Sequence, residues 1–318
     1  MEVVRDIERL EPPAAAVAVG VFDGVHLGHQ AVLREAVTRA AGLGAQAAAL
    51  TFDPHPQQVL RPRQAPRLLT TIAERAALIA DSGINMLIVA RFDHSFAAQT
   101  PEEFVHRVLL ERLGARCVIA GEGFVFGRGA RGNIHTLTEL GRRLGFCAAA
   151  VERVTVDGMT VSSTAVRQLI SAGNIERATS LLGHCYTIGG VVVRGRQRGR
   201  AIGTPTANLC VEQSKLLPPD GVYAVRARLR GEEGARPAVA NIGTRPTFAG
   251  ATGEGAPGGR CIEAHMFDSP TPGELYGHAL TLEVVSRLRD ERAFPSAPEL
   301  SAQIQQDIAC ARAILARK

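Results

Sequence analysis

The spacing of apolar and polar residues along this chain follows two different patterns, and the change between them occurs close to Gly183. In the first half, short apolar runs alternate with segments in which apolar residues recur every three or four positions. The short runs are typical of buried strands, and the wider spacing is typical of helices that bury one face. Strands are predicted at Ala14–Val21, Gln46–Phe52, Met86–Ala90, Cys117–Ala120 and Cys147–Val154. Helices are predicted at His29–Ala41, Ile72–Asp81, Pro101–Leu113, Ile134–Leu144, Thr164–Ala172 and Ile175–Leu182.

Regular alternation of strands and helices favours crossover units and a parallel sheet. In such sheets, ligands bind beside the carboxyl ends of the strands. We therefore expect an α/β domain over residues 1–184, with any functional residues in the loops that follow its strands.

After Gly183, short stretches such as YTIGGVVV, GVYAVRARL and ALTLEVVSRL are separated by glycine and proline turns. This pattern is typical of an antiparallel barrel or sandwich. Apolar residues spaced along Ala297–Ala316 predict a final helix. Residues 185–318 therefore form a second, β-rich domain, in which the glycine-rich segment 249–259 is predicted to be a mobile loop.

Composition narrows the class of protein. The chain has 318 residues, of which 46% are hydrophobic and 21% charged, which suits a globular protein with two domains. It lacks an apolar run long enough to span a membrane, and its first residues do not resemble a signal peptide. We expect a cytoplasmic protein that binds no membrane; the sequence leaves its oligomeric state open.

The spacing of the cysteines and the small number of lysines argue against several kinds of site. The six cysteines are scattered without a C-x-x-C pair, so reduced thiols within the core are expected instead of a zinc or redox motif. Only Lys215 and Lys318 are lysines, and neither follows a Walker A glycine loop. Any bound nucleotide must therefore be held by a phosphate-binding site other than a Walker A loop.

The net charge of +5 is concentrated locally, since arginines occupy alternate positions at 194, 196, 198 and 200. A nucleic-acid surface usually needs a broader basic field. A small anionic ligand fits the pattern better, and no nucleic-acid partner is expected.

The segment GVFDGVHLGHQ (residues 20–30) contains two histidines, at the point where the first predicted strand ends and the first predicted helix begins. At a spacing of three, His26 and His29 point to the same side of the helix start. A helix N-terminus offers N–H groups and positive partial charge to an anion, and two imidazoles extend this cradle to a triphosphate. A zinc site or two incidental histidines are the alternatives.

This segment resembles the nucleotidyltransferase signature, and VSSTAVRQL (residues 161–169) resembles the second signature of that superfamily. TFDPHP, RFDHSFAAQTPEEFV, GEGFVFGRGARGN, GRAIGTPTANL, NIGTRPTF and IEAHMFD then follow in the order found in bifunctional bacterial FAD synthetases. The resemblance implies a Rossmann-like nucleotidyltransferase domain with a parallel sheet, and an antiparallel β-barrel riboflavin kinase domain with a terminal helix. It also implies that riboflavin is phosphorylated to FMN and that FMN is adenylylated to FAD, with Mg²⁺ as cofactor and ATP as co-substrate.

The family pattern assigns roles to matching residues of the first domain. ATP would be bound by Gly20, Phe22, Asp23, His26, His29, Ser163, Thr164 and Arg167. His29 and Arg167 are the catalytic candidates there, because both can stabilise charge on phosphate oxygens. The flavin would be contacted by Asp53, Phe124, Phe126 and Arg289, although core packing for the phenylalanines and a surface ion pair for the arginine are alternatives.

In the second domain, the resemblance implies that Gly203, Thr206 and Asn208 bind ATP and magnesium, with the last two as metal ligands. Hydroxyl and amide oxygens are suitable hard ligands for Mg²⁺. Glu263 resembles the family's general base, which would take the proton from the riboflavin 5′-hydroxyl. A solvated strand glutamate is the alternative.

Several positions depart from the family pattern. Gly123 stands where Asp or Asn is usual, and its lack of a side chain removes a polar contact near the flavin. Ala165 replaces a common arginine, Arg196 a common acidic residue and Thr204 an aromatic one. None of these departures removes a residue assigned to the chemistry. A different phosphate-monoester transferase, and a non-catalytic flavin-sensing or RNA-binding protein on the same scaffold, are the alternatives. The sequence argues against both, because it retains all the residues assigned to catalysis and phosphate binding together: His26, His29, Arg167, Thr206, Asn208 and Glu263.

Overall fold

A computed structural model describes residues 1–9, 14–194, 204–232, 234–244, 260–267 and 275–317. The chain divides into two compact units, Met1–Ser163 and Thr164–Lys318. Four residues singled out in the sequence, Arg196, Arg198, Arg200 and Gly203, lie outside the described residues, as does the segment 249–259.

The first unit is built on a six-stranded parallel sheet, as the alternating pattern predicts. Its strands lie in the order β1-β4-β3-β2-β5-β8. They are β1 Glu2–Val4, β2 Ala15–Val19, β3 Gln46–Asp53, β4 Met86–Arg91, β5 Ala115–Gly121 and β8 Cys147–Val151. Two short hairpins follow the carboxyl ends of β5 and β8. They pair β6 Val125–Phe126 with β7 Gly132–Asn133, and β9 Thr155–Val156 with β10 Met159–Thr160.

Helices cover both faces of this sheet. They are α1 Leu27–Leu43, α2 Pro56–Leu60, α3 Ile72–Ala80, α4 His94–Ala97, α5 Pro101–Glu103 and α6 Ile134–Leu144, with short 3₁₀ turns at Ile7–Arg9, Pro62–Gln64 and Arg128–Ala130. The helix predicted at Pro101–Leu113 differs in geometry, because α5 passes into a π-helix over Phe104–Arg112. Residues of α1 and α3 pack into the core on one face, and the π-helix and α6 pack into the core on the other.

The strand order places a switch point beside β2. From β2 the chain moves outward through β3 and β4, and it then returns to the other side of β2 as β5. The loops that leave the carboxyl ends of β2 and β5 therefore diverge in opposite directions. A crevice opens at such a point, and it is where open α/β sheets bind ligands.

The second unit starts with α7 Ser163–Ser171, of which all but the first residue belong to it, and α8 Ile175–Leu182. A closed antiparallel barrel follows, in the order β11-β12-β15-β14-β13-β16. Its strands are β11 Tyr186–Val193, β12 Ala207–Cys210, β13 Gly221–Leu229, β14 Arg236–Thr244, β15 Arg260–Met266 and β16 Ala279–Arg289. The predicted barrel is confirmed. The units divide at residue 163, whereas the sequence places the domain boundary at 184, because α8 packs on β11 and β16.

Helix α9, Ala297–Arg317, covers one side of the barrel. Ala311 of this helix joins Val222 and Val239 of the barrel in an apolar cluster. Asp307 of α9, 6% exposed, accepts a forked hydrogen bond from Arg289 at the end of β16, at 2.8 to 3.1 Å. Arg289 is thus engaged in the ion pair that the sequence leaves as its alternative, and a flavin contact by this residue stays a prediction.

All six cysteines lie in the described residues, and none of them forms a disulfide. Only Cys117 is buried, so the expectation that the thiols lie in the core is wrong for the others. Burial, with a hydrogen bond to the neighbouring Cys147, raises the pKa of the Cys117 thiol to about 12. Over the described ranges, no helix is long and apolar enough to cross a membrane.

Candidate active sites

The turn that leaves β2 has an unusual backbone. Phe22, Gly24 and Val25 all have positive φ values, of 51°, 83° and 38°. For Phe22 and Val25 this conformation is strained, and strain of this kind persists only where the surroundings enforce it. Gly20 allows the close packing of this turn, because a Cβ on it would lie 3.1 Å from the Phe22 ring.

A buried polar network enforces the turn. The Asp23 carboxylate, 1% exposed, accepts hydrogen bonds from the backbone N–H groups of Leu69 and Thr70 and from the Thr70 hydroxyl, at 2.9 to 3.1 Å. The Arg75 guanidinium, also 1% exposed, lies 3.6 Å from the same carboxylate. The Asp23 side chain is thus enclosed by protein groups that hold the turn in place. A contact between Asp23 and ATP stays a prediction.

Replacing Asp23 with alanine is expected to destabilise the first unit by roughly 3 to 5 kcal/mol, because it leaves the Arg75 charge buried without its partner. The exposed Arg39–Glu35 pair on α1 is the control, since Glu35→Ala removes an interaction worth less than about 1 kcal/mol. Urea unfolding followed by circular dichroism measures both. Equal shifts in the two variants would show that the buried network does not hold the turn.

His26 and His29 form one stacked unit at the N-terminus of α1. Their ring centroids are 3.6 Å apart and the rings are inclined by 14°, while Phe22 packs edge-on against His29 at 5.3 Å. His26 caps the helix, and its Nδ1 accepts a hydrogen bond from the His29 backbone N–H at 3.3 Å. The neutral His26 ring therefore carries its proton on Nε2. Gly28 makes room for this ring, since a Cβ there would lie 3.3 Å from it.

Ser163 is held close to this turn, because its hydroxyl donates to the backbone oxygen of Asp23 at 2.8 Å. The structure thus places Ser163 next to the turn that carries the histidines. Thr164 and Arg167 follow on α7 within the second unit. Their roles in ATP binding stay predictions.

Aromatic side chains gather at the carboxyl ends of β3, β4 and β5. Successive ring centroids in this cluster are 5.4 to 6.1 Å apart. It contains Phe52, Phe92, Phe96, Phe104, Phe124 and Phe126. Phe124 and Phe126 were predicted to lie beside the flavin, but only Phe124 is partly exposed; Phe126 is 7% exposed and packs in the core.

Phe92 and Phe96 are partly exposed members that the sequence analysis missed. The sequence RFDHSF contained the signal, because it places Phe92 and Phe96 within about six residues of the end of the predicted strand Met86–Ala90. Asp53 ends β3 nearby, where its carboxylate pairs with Arg5 at 3.3 Å on the surface. A planar aromatic ligand could stack on this cluster beside the switch point.

In the barrel, residues predicted to serve riboflavin phosphorylation lie in a row across neighbouring strands. Asn208 of β12 pairs in register with Glu263 of β15, which in turn pairs with Asn241 of β14. Ile262 and Ala264 are buried on the inner face of β15, so Glu263 lies on the opposite face. Glu263 is partly exposed and can reach a substrate, whereas Asn208 is only 5% exposed.

Cys261 lies beside this row on the same face of β15. Its thiol donates to the Asn208 side-chain oxygen at 3.4 Å and lies 3.8 Å from the Glu263 carboxylate. Asn241 donates to the Glu291 carboxylate at 3.1 Å. The sequence motifs do not identify Cys261, Asn241 or Glu291, because strand register cannot be read from separate motifs.

The oxygen donors of this row fit magnesium. Thr206 precedes β12 by one residue and shares a face with Asn208, by the two-residue repeat of extended chain. A hydroxyl, an amide oxygen and a carboxylate are hard ligands of the type that Mg²⁺ prefers, with substrate phosphates completing its shell.

Comparison with known proteins assigns each unit. Residues 8–165 match the family model of FAD synthetase, and residues 182–315 match that of riboflavin kinase. The bifunctional riboflavin kinase/FMN adenylyltransferase of Pseudomonas fluorescens is 36% identical over 99% of this chain and 98% of its own. Its counterpart in Bacillus subtilis is 37% identical over 93% of this chain and 91% of its own.

A solved structure has the same fold. A crystal structure described as that of a macrolide-efflux protein from Streptococcus pneumoniae matches 98% of each chain, with a TM-score of 0.83 and 29% identity. The parallel sheet, the closed barrel, both family models and the full-length relatives agree. This chain therefore belongs to the family of bifunctional riboflavin kinase/FMN adenylyltransferases.

Proposed function

We propose that the chain phosphorylates riboflavin to FMN with ATP and then adenylylates FMN to FAD with release of pyrophosphate. The observation that carries this proposal is the match of separate family models to 8–165 and 182–315, together with relatives of both activities along nearly the whole chain. We assign adenylylation to residues 1–184 and phosphorylation to residues 185–318.

In the adenylylation step, a phosphate oxygen of FMN attacks the α-phosphorus of ATP, and pyrophosphate leaves. His26, His29 and the N-terminus of α1 neutralise the negative charge that develops on the phosphate oxygens. Ser163, Thr164 and Arg167 bind the phosphates, with the arginine fork on the departing pyrophosphate. The strained turn supports this role because it fixes both histidines in one geometry before substrate binds.

The flavin ring stacks on the partly exposed phenylalanines, with Phe124 as its main contact. The aromatic cluster supports this assignment because the chain contains no tryptophan. Offset stacking of flat rings contributes roughly 0.5 to 1.5 kcal/mol beyond the buried area. Asp53 at the end of β3 lies at the same edge of the sheet and contacts either flavin or phosphate.

In the kinase step, Glu263 takes the proton from the riboflavin 5′-hydroxyl as its oxygen attacks the γ-phosphorus of ATP, the bond from that phosphorus to the bridging oxygen breaks, and ADP leaves. Thr206 and Asn208 would hold Mg²⁺, which would neutralise charge on the phosphate oxygens. Gly203 belongs to the same ATP-binding segment. The register of Asn208 with Glu263 supports the assignment, since it brings a metal-binding oxygen next to the base.

We place the enzyme in the cytoplasm, with riboflavin, FMN and ATP as its partners. Its six cysteines without a disulfide support a reducing compartment.

The proposal is tested by incubating the purified protein with riboflavin, ATP and Mg²⁺ and separating the flavins by chromatography. FMN should form first and FAD should follow, and both should stop when a chelator removes the metal. A reaction that forms no FMN contradicts the kinase assignment, and one that leaves added FMN unchanged contradicts the adenylyltransferase assignment.

A further inference from the structure

An arginine occupies the space beside Gly123, where the family pattern has Asp or Asn. A Cβ on Gly123 would lie 3.6 Å from Nη2 of Arg153. Gly123 lies two residues beyond the end of β5, and Arg153 lies two residues beyond the end of β8. A backbone hydrogen bond of 3.0 Å from the Glu122 N–H to the Val151 oxygen connects the segments that follow β5 and β8. The missing side chain and the arginine are therefore neighbours at the carboxyl edge of the sheet.

Arg153 is exposed, and among the described residues no hydrogen bond or ion pair engages its guanidinium. Many surface arginines of this unit are paired, as Arg39 is with Glu35 and Arg112 with Glu8. Arg153 differs from them in its position, because it stands at the edge of the sheet where open α/β domains bind ligands.

Arg153 is close enough to His26 and His29 for all three side chains to contact one ligand. Strands β2, β5 and β8 are consecutive neighbours, so the exits of β2 and β8 are separated by two strand spacings, or roughly 10 Å. An extended arginine covers much of this span. A phosphate chain held by His26 and His29 thus lies within its reach.

We propose that Arg153 binds phosphate oxygens of a substrate in the adenylyltransferase reaction, through the space that Gly123 leaves open. A planar guanidinium presents paired N–H donors that match phosphate oxygens. A carboxylate at position 123 would compete for the same donors. This inference rests on the proposed function, and either the monophosphate of FMN or the triphosphate of ATP can supply the oxygens.

The test is the steady-state kinetics of FAD formation by Arg153→Ala, with Arg153→Lys as the conservative variant. Arg143→Ala is the matched control, because Arg143 is also exposed but lies at the end of α6, before β8 begins and so at the opposite edge of the sheet. The KM of one phosphorylated substrate should rise roughly tenfold to a hundredfold in Arg153→Ala, the loss expected for a charge-assisted hydrogen bond. Lysine should restore part of it, and riboflavin phosphorylation should be unchanged in every variant.

Separate titrations of FMN and ATP identify which phosphate is bound. Gly123→Asp gives a second readout, since its carboxylate should pair with Arg153 and raise the same KM. In the double variant Gly123→Asp/Arg153→Ala, the aspartate has no Arg153 to pair with. The KM of this double variant should therefore be no higher than that of Arg153→Ala alone. If the wild-type protein forms FAD and both KM values in Arg153→Ala stay within twofold of wild type, this inference is wrong and the proposed function stands. Absence of FAD formation in the wild type would contradict the proposed function itself.

Discussion

Replacing Glu263 with glutamine is expected to lower the rate of riboflavin phosphorylation by roughly two to four orders of magnitude, the usual contribution of a general base. Glutamine keeps the size and polarity of the side chain but cannot accept the proton of the attacking hydroxyl. Conversion of added FMN to FAD should remain near normal, because that reaction is assigned to the other domain. Timed chromatography of the flavins measures both rates.

Glu283→Gln is the matched control, since Glu283 is another strand glutamate of the barrel and pairs with Arg228 at 3.0 Å on its surface. It should leave both activities close to those of the wild type. Full phosphorylation by a folded Glu263→Gln protein would show that Glu263 is only a solvated strand residue.

Replacing His29 with alanine should have the reverse effect. FMN should accumulate from riboflavin, and FAD formation should fall by roughly a hundredfold or more, as when one preorganised donor to a charged transition state is lost. His29 stacks on His26 at 3.6 Å, so its removal also loosens the ring that caps α1.

His135→Ala controls for the loss of an imidazole elsewhere in the unit, because His135 is exposed on α6 and pairs with Glu139 of the same helix. It should not change either rate. A folded His29→Ala protein that lost both activities equally would contradict the assignment of one reaction to each domain.

Local signals predict the regular elements of this chain well. The helices α6 and α8 have the predicted bounds, because Asn133 and Asn174 cap their first turns and Gly145 and Gly183 end them in the left-handed conformation. These capping preferences depend only on neighbouring residues, so they can be read from the sequence. The strands β2 to β5 were predicted within a few residues, because each is a short apolar run in the sequence.

Features that depend on distant residues were not predicted. The sequence shows Asp23 beside two histidines, but its partners Thr70 and Arg75 come from a segment about fifty residues away, and only the fold reveals that the carboxylate is buried. The helix after Pro101 was expected to be an ordinary α-helix, and its sequence gives no sign of the π-helical geometry at Phe104–Arg112.

The kinase row shows the same limit. Asn208 and Glu263 could each be identified from a motif, yet their pairing depends on the register of β12 against β15. Register is set by packing over the whole barrel, so no single segment contains it.

We propose that this chain carries two independent active sites, with FMN passing between them through solution. Mixing Glu263→Gln and His29→Ala tests it most directly, by measuring FAD formed from riboflavin, ATP and Mg²⁺. Each variant alone should form almost no FAD, because one lacks the first step and the other lacks the second. The mixture should form FAD at a substantial rate, since FMN released by His29→Ala is the substrate of Glu263→Gln. A mixture that forms no more FAD than the two variants measured separately would contradict the claim.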